Sequence, residues 1–147
     1  MPEFSFCLGD PDDPEADVEA TLGLIRRLKG IHPWAEIVLY YRTPTPQPEL
    51  RDDAVPKGLR HPGTLDGWLS PEWMAWSTHT SPEVPWMTDG LRRRVDGFEV
   101  VLHSRFPSLH DRRMPIWARP VLRAAAWRRW RRGDFSDAPL LRALRRR

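Results

Sequence analysis

EFSFCL at Glu3–Leu8, GDPDDP at Gly9–Pro14 and EIVLYY at Glu36–Tyr41, with a helical repeat before the last of them, decide how this chain folds. Glu3–Leu8 is short, apolar and aromatic, the composition of a buried strand. Gly9, Asp10 and Pro11 stop it with a strong turn signal. Asp13 then suits a helix N-cap and Pro14 the first helical position, while Glu15 and Asp17 complement the positive helix end. Val18, Leu22, Ile25 and Leu28 recur at helical spacing, Arg26, Arg27 and Lys29 fall in the last turn, and Gly30 can close the helix in a left-handed conformation. The spacing predicts a helix over residues 14–29. Glu36–Tyr41 is β-branched and aromatic without polar alternation, as in a parallel strand covered on both faces. Strand, helix and strand make a βαβ unit of about 40 residues, whose crossover is expected to be right-handed.

Further along, Thr43–Pro48 reads as an extended proline-rich loop and Leu50–Ala54 as one helical turn. Ser70-Pro71-Glu72 and Ser81-Pro82-Glu83 both look like helix starts, although Pro85 limits the second to a turn. Phe98–Leu102 could be a strand, but Leu91, Val95, Phe98 and Leu102 together fit a helix starting near Asp89 better. A basic helix from Pro115 or Trp117 to Arg132 is closed by Gly133, and a short helix over Pro139–Arg146 follows. No internal repeat is present.

The composition narrows the function classes. Of 147 residues, sixteen are proline and eight tryptophan, which implies many turns and large, specific ring contacts. The net charge of +3 hides a split: residues 1–57 carry eleven acids and six bases, residues 58–147 nine acids and seventeen bases. Residues 112–147 hold twelve arginines and no lysine, against Asp134 and Asp137 alone. Such asymmetry suggests two pieces with different histories, or a basic tail with an anionic partner. A single cysteine, Cys7, excludes a disulfide scaffold and any multi-cysteine metal or cluster site within the chain. No apolar run approaches the roughly 18–20 residues that span a bilayer, and the acidic start is no signal peptide, so the cytoplasm is the expected compartment.

A two-stranded parallel sheet under one helix has two unpaired edges and one uncovered face. The neighbouring strands are therefore expected upstream, with Met1 an internal methionine or a secondary start. The residues then resemble a known family. Phe6, Gly9, Pro11 and Asp17 fall on the F-x-x-G-x-P-G-E-T-x-E-D pattern of a late barrel strand in radical S-adenosylmethionine enzymes. Asp12, Asp13, Pro14 and Ala16 replace that pattern's second glycine, first glutamate, threonine and second glutamate. Tyr41-Arg42-Thr43-Pro44-Thr45-Pro46 with Leu50 and Ala54 is similar to the family's next segment, Y-x-T-P-x-P-G-T-x-L-Y-x-x-A; Gln47, Pro48 and Arg51 depart from it. Gly58, Thr64–Trp68 and Ser70–Trp73 are similar to the segment after the barrel in the cobalamin-binding branch.

The resemblance covers residues 3–73 in order and spacing, and residues 74–147 only loosely. It implies an α/β fold: a βαβ portion of a partial (β/α) barrel over residues 1–57, then a mostly helical, proline-rich and basic extension over 58–147. It also implies a parent enzyme using S-adenosylmethionine, a [4Fe–4S] cluster and cobalamin. The cluster needs three thiolates in a C-x-x-x-C-x-x-C loop, which Cys7 cannot supply, so this chain alone is expected to carry no cofactor, no catalytic residue and no metal. Its expected partner is the remaining barrel part encoded upstream. Gly9, Asp10, Pro11 and Asp13 would border the adenosine moiety once the barrel is completed, since ligands gather at the carboxyl ends of parallel strands.

Plainer readings stand beside these. Gly9–Asp13 also reads as a tight turn and helix cap. Cys7, between Phe6 and Leu8, reads as a small buried hydrophobe. The histidines at 32, 61, 79, 103 and 110 lack i, i+4 or H-x-H spacing for a metal. Asp12-Asp13 and Asp52-Asp53 could pass for paired carboxylates, but adjacent side chains point apart, and capping explains the first pair. In the Arg/Trp helix 117–132, Trp117, Val121, Leu122, Ala124 and Ala125 share an arc of roughly 160°. That arc is the expected docking face, with Trp127 and Trp130 on the far side among Arg119 and Arg123. The remaining surface reads as a solvated basic face; the alternative is a small basic binding module gripping RNA or an anionic membrane surface.

Overall fold

A computed structural model describes residues 2–42, 58–59, 62–71, 73–74, 84–107, 119–136, 138–139 and 141. It is a mixed α/β structure whose elements, among the described residues, are β1 (Glu3–Leu8), α1 (Pro14–Ile31), β2 (Glu36–Tyr41), α2 (Leu65–Trp68), α3 (Asp89–Arg105) and α4 (Arg119–Arg132). The chain divides into two compact units, one of residues 3–25 and 37–88, the other of residues 1–2, 26–36 and 89–147. The expected turn at Leu50–Ala54, the loop at Thr43–Pro48, the start at Ser81-Pro82-Glu83 and most of the helix at Pro139–Arg146 lie outside the described residues.

All of β1 and residues 37–41 of β2 belong to the first unit, whereas Pro2 and Glu36 belong to the second. Glu36 N–H donates to the Pro2 carbonyl at 2.9 Å and Arg42 N–H to the Leu8 carbonyl at 2.7 Å. Both partners advance in the same direction at a constant offset, so β1 and β2 are parallel, as a βαβ unit requires. Asp13 caps α1: its Oδ1 accepts the Ala16 N–H at 3.0 Å, and its carbonyl accepts the Asp17 N–H. Val18, Leu22 and Ile25 are all buried, as their spacing predicts. The helix runs two residues past the expected end at residue 29. Gly30 stays helical instead of adopting a positive φ. The His32 N–H still reaches the Leu28 carbonyl at 2.7 Å, and Pro33 then breaks the ladder.

The burial of the strands differs from expectation. In β1 only Leu8 is buried; Glu3, Phe4, Ser5 and Cys7 are exposed and Phe6 is half-buried. In β2 only Ile37 is buried, and the other five residues are half-buried. Neither strand is enclosed on both faces, and Cys7 is not a core residue. Hydrophobic composition reports what a strand suits; enclosure depends on layers that the described residues do not supply. Farther on, Thr64 caps α2, its Oγ1 accepting the Gly67 N–H at 3.2 Å, and Trp68 packs on Trp73 with ring centroids 4.6 Å apart.

The second unit is helical, and α3 is its centre. Leu91, Val95, Phe98 and Leu102 are buried at the expected helical spacing. Gly97, Val100, Val101 and Ser104 are buried as well, so roughly 220° of the helix circumference is enclosed. This settles the strand-or-helix ambiguity at Phe98–Leu102 in favour of helix. Gly97 is where α3 meets the turn after α4: a Cβ there would run into the Phe135 and Ser136 carbonyl oxygens. Helix α4 ends as expected at Gly133, φ 67°. The Gly133 N–H donates to the Trp130 carbonyl and the Asp134 N–H to the Arg129 carbonyl, the two bonds of a Schellman cap. Asp134 steadies the turn. Its Oδ1 accepts the Ser136 hydroxyl at 2.6 Å and the Ser136 N–H at 3.1 Å, which holds its carboxyl below the usual range.

The face by which α4 docks shares only Leu122 with the expected arc, of which Trp117 lies outside the described residues. Leu122 and Ala126 are buried, whereas Val121, Ala124 and Ala125 are exposed. Trp130, placed on the far side by the sequence pattern, joins an aromatic cluster with Phe98 (5.7 Å between centroids), Phe106 (5.2 Å) and Phe135 (6.1 Å). The inward stripe is thus Leu122, Ala126 and Trp130, at i, i+4 and i+8. The physical reason is size: Trp130 contributes more ring surface than two alanines, so turning it inward covers more apolar area. Arg26 lies 5.9 Å from the Trp130 ring centroid and donates to the Trp130 carbonyl at 3.1 Å, a cation at a helix C-terminus.

Lys29 is buried at the end of α1. Its Nζ donates to the Pro33 carbonyl at 3.2 Å and the Ala35 carbonyl at 2.5 Å, and sits 4.9 Å from the Phe106 ring centroid. Desolvation pushes its ammonium below the usual lysine range, with Glu36 opposing. Lys29→Met should cost about 1–3 kcal/mol, because two carbonyls lose their donor while the aliphatic stem is kept. The depressed value makes the native state release this proton first. The associated stability is therefore fully present above the unfolded lysine value, about 10.4, and is lost as pH falls through the folded one. Paired urea melts from neutral pH to pH 10 should show the wild-type advantage over Lys29→Met widening with pH. A flat difference would mean that Nζ is well solvated.

Candidate functional site

Gly9, Asp10, Pro11 and Asp13 follow β1 at its carboxyl end, and because β2 is parallel, Arg42 leaves β2 at the same end. Arg42 Nη1 and Asp10 Oδ2 form an ion pair at 2.5 Å, with side chains 34% and 39% exposed. At that exposure the pair is worth at most about 1 kcal/mol. Gly9 is buried with φ 86°, a conformation that favours glycine, and a Cβ there would meet Met87 Sδ at 3.0 Å. Trp86 Nε1 donates to the Gly9 carbonyl at 3.1 Å.

Asp17 organises the loop. From the first turn of α1 its Oδ2 reaches back to accept the Gly9 N–H at 2.8 Å and the Asp10 N–H at 3.1 Å. Asp10 Oδ1 accepts the Asp12 N–H at 2.9 Å, an Asx turn, and Asp13 serves as the N-cap. The loop is therefore rigid and internally bonded. The Gly9, Asp10 and Asp12 N–H groups are occupied by the Asp17 and Asp10 carboxylates, and the loop's surface presents Asp12 and Asp13 beside the Arg42-paired Asp10. Such a site disfavours phosphate and other anions, and suits hydroxyl, amine or cationic groups.

Sequence reasoning placed Gly9, Asp10, Pro11 and Asp13 here but missed Arg42, Trp86 and Met87. The parallel register alone would have brought Arg42 beside Asp10. No local signal marks Trp86 or Met87, which reach the loop across 77 residues of chain. Cys7 is exposed, yet desolvation at its sulfur is the largest influence on the thiol and pushes it above the ordinary value, against the pull of Arg42. Among the described residues no three His, Cys, Asp or Glu side chains gather as a metal site. His103 faces Glu99 at 3.8 Å, one turn away on α3. No helix among the described residues is long and apolar enough to cross a membrane.

No protein-family model, curated protein or solved structure matches the chain.

Proposed function

We propose that this chain is the C-terminal part of a radical S-adenosylmethionine enzyme of the cobalamin-binding branch. In this reading, residues 1–57 contribute closing strands of its barrel and residues 58–147 its helical extension, in the cytoplasm. The observation that carries the reading is the pairing of two parallel strands whose carboxyl ends meet at a rigid, acidic loop, while Phe4, Phe6 and Cys7 of β1 stay exposed or half-buried. A sheet with that much uncovered aromatic surface suits further strands and another layer.

The loop's chemistry fits one part of the parent cofactor set. S-adenosylmethionine carries no phosphate; its adenosine offers hydroxyl and amino donors and its sulfonium is cationic, which matches a loop of carboxylates with occupied backbone donors. Gly9, Asp10, Pro11 and Asp13 would border that moiety, with the Arg42–Asp10 pair and Trp86 holding the loop in place. The cluster does not fit: one thiol cannot replace three, so its ligands must come from the partner segment, and no radical step is assigned to residues of this chain.

The test starts with the genomic DNA upstream, which should encode a C-x-x-x-C-x-x-C stretch. That segment, co-expressed with this chain, purified without oxygen and supplied with dithionite as electron donor, should assemble with it and cleave S-adenosylmethionine reductively to methionine and 5′-deoxyadenosine, the hydrogen atom coming from a C–H bond of substrate or buffer, which neither part does alone. An upstream region without the cysteine motif, or an assembly that leaves S-adenosylmethionine intact, sinks the reading.

A further inference from the structure

The outward arc of α4 carries a charge that the proposed barrel role does not use. Helix α4, RPVLRAAAWRRWRR, contains six arginines and no acid. Arg129 is committed to the cap turn, donating to the Asp134 and Ser136 carbonyls. Arg123, Arg128, Arg131 and Arg132 are exposed, and among the described residues Arg123, Arg128 and Arg131 have no ion-pair partner. Like charges one turn apart on a helix repel, so this arrangement costs folding stability. The helix dipole offsets part of that cost in the last turn but none at Arg123.

Aromatic surface stands in the middle of this charge. Arg123, Trp127 and Arg131 follow at i, i+4 and i+8, a line of about 12 Å along the helix. Trp127 is 46% exposed, and the Arg131 guanidinium lies 4.8 Å from its ring centroid. Leu122, Ala126 and Trp130 face the protein interior, so the helix has no broad apolar side left to sink into lipid. Only Val121 and Trp127 are large and apolar on the outward arc. An interfacial membrane helix needs the opposite arrangement, with its apolar face outward. Phosphates spaced between flat bases match cations spaced around an exposed indole.

We infer that the Arg123–Trp127–Arg131 face of α4 binds single-stranded nucleic acid, with the arginines on phosphates and Trp127 stacked on a base. The inference does not rest on the barrel reading. The test uses the full chain and a fluorescein-labelled 20-nucleotide single-stranded RNA, followed by anisotropy from 50 to 300 mM KCl. Affinity should fall with salt. The variant R123E/R128E/R131E should bind about 100-fold more weakly, and R123Q/R128Q/R131Q should flatten the log–log salt slope by about 2. Trp127→Leu should weaken RNA binding about tenfold while leaving polyphosphate binding unchanged. Far-UV circular dichroism establishes that each variant is folded, and the glutamine series serves if charge reversal unfolds the helix. Four results overturn the inference: no RNA binding by the wild type at 100 mM KCl; binding to phosphatidylserine vesicles but not RNA; wild-type affinity in the arginine variants; or equal loss of RNA and polyphosphate binding in Trp127→Leu.

Discussion

Gly97→Ala should destabilise the protein by about 2 kcal/mol, although helix propensity alone would make the same change stabilising by about 1 kcal/mol. The sign follows from what a Cβ at position 97 would meet. It would run into the Phe135 and Ser136 carbonyl oxygens, which are main-chain atoms of the turn closing α4 and cannot swing aside as a side chain can. Relief requires α3 and the turn to separate, which loosens Phe98 from Phe135, now edge-to-face at 4.8 Å between centroids. Gly30→Ala is the matched control. Gly30 is also helical, but a Cβ there has nothing within 4 Å, so this change should stabilise by about 0.5–1 kcal/mol. Urea denaturation of both variants reads the difference. If Gly97→Ala proves as stable as Gly30→Ala, the close approach of α3 to the turn is wrong.

Trp130→Ala is expected to cost about 3 kcal/mol, and Trp127→Ala less than about 1 kcal/mol, although the two lie three residues apart on one helix. Trp130 meets three aromatic rings and the Arg26 guanidinium, so its removal leaves a cavity beside Phe98, a fully buried side chain. Trp127 is nearly half exposed and, among the described residues, carries only Arg131 over its ring. Thermal melts of the two variants decide which face of α4 is inward. Equal losses, or a larger loss at Trp127, would restore the docking arc of Trp117, Val121, Leu122, Ala124 and Ala125 that the sequence pattern favours.

The two faces of α4 explain how one short helix can serve packing and display arginine together. Leu122, Ala126 and Trp130 join the apolar interior of their unit, and Arg129 stitches the cap. Arg123, Arg128, Arg131 and Arg132 stand in water. Stability variants on the inward stripe and binding variants on the outward line should therefore separate cleanly, since residues without shared partners act independently.

Local chemistry determined much of this protein. Asp13 and Pro14 start α1, Pro33 stops it after His32, and Gly133 ends α4, because caps and breakers act within a turn or two of the chain. The α3 helix followed from the spacing of four apolar residues, and the parallel strands from their unbroken apolar runs. Tertiary structure alone decided which surfaces are enclosed. Composition marked β1 and Cys7 as interior, yet β1 is largely exposed, because enclosure depends on neighbouring layers and not on the strand. A helical wheel chose the arc of Trp117, Val121, Leu122, Ala124 and Ala125 and placed Trp130 opposite, because it cannot weigh the ring surface that Phe98, Phe106 and Phe135 offer to Trp130. Trp86 reached the Gly9 carbonyl for the same reason: contacts between residues far apart in sequence leave no periodic trace in either segment.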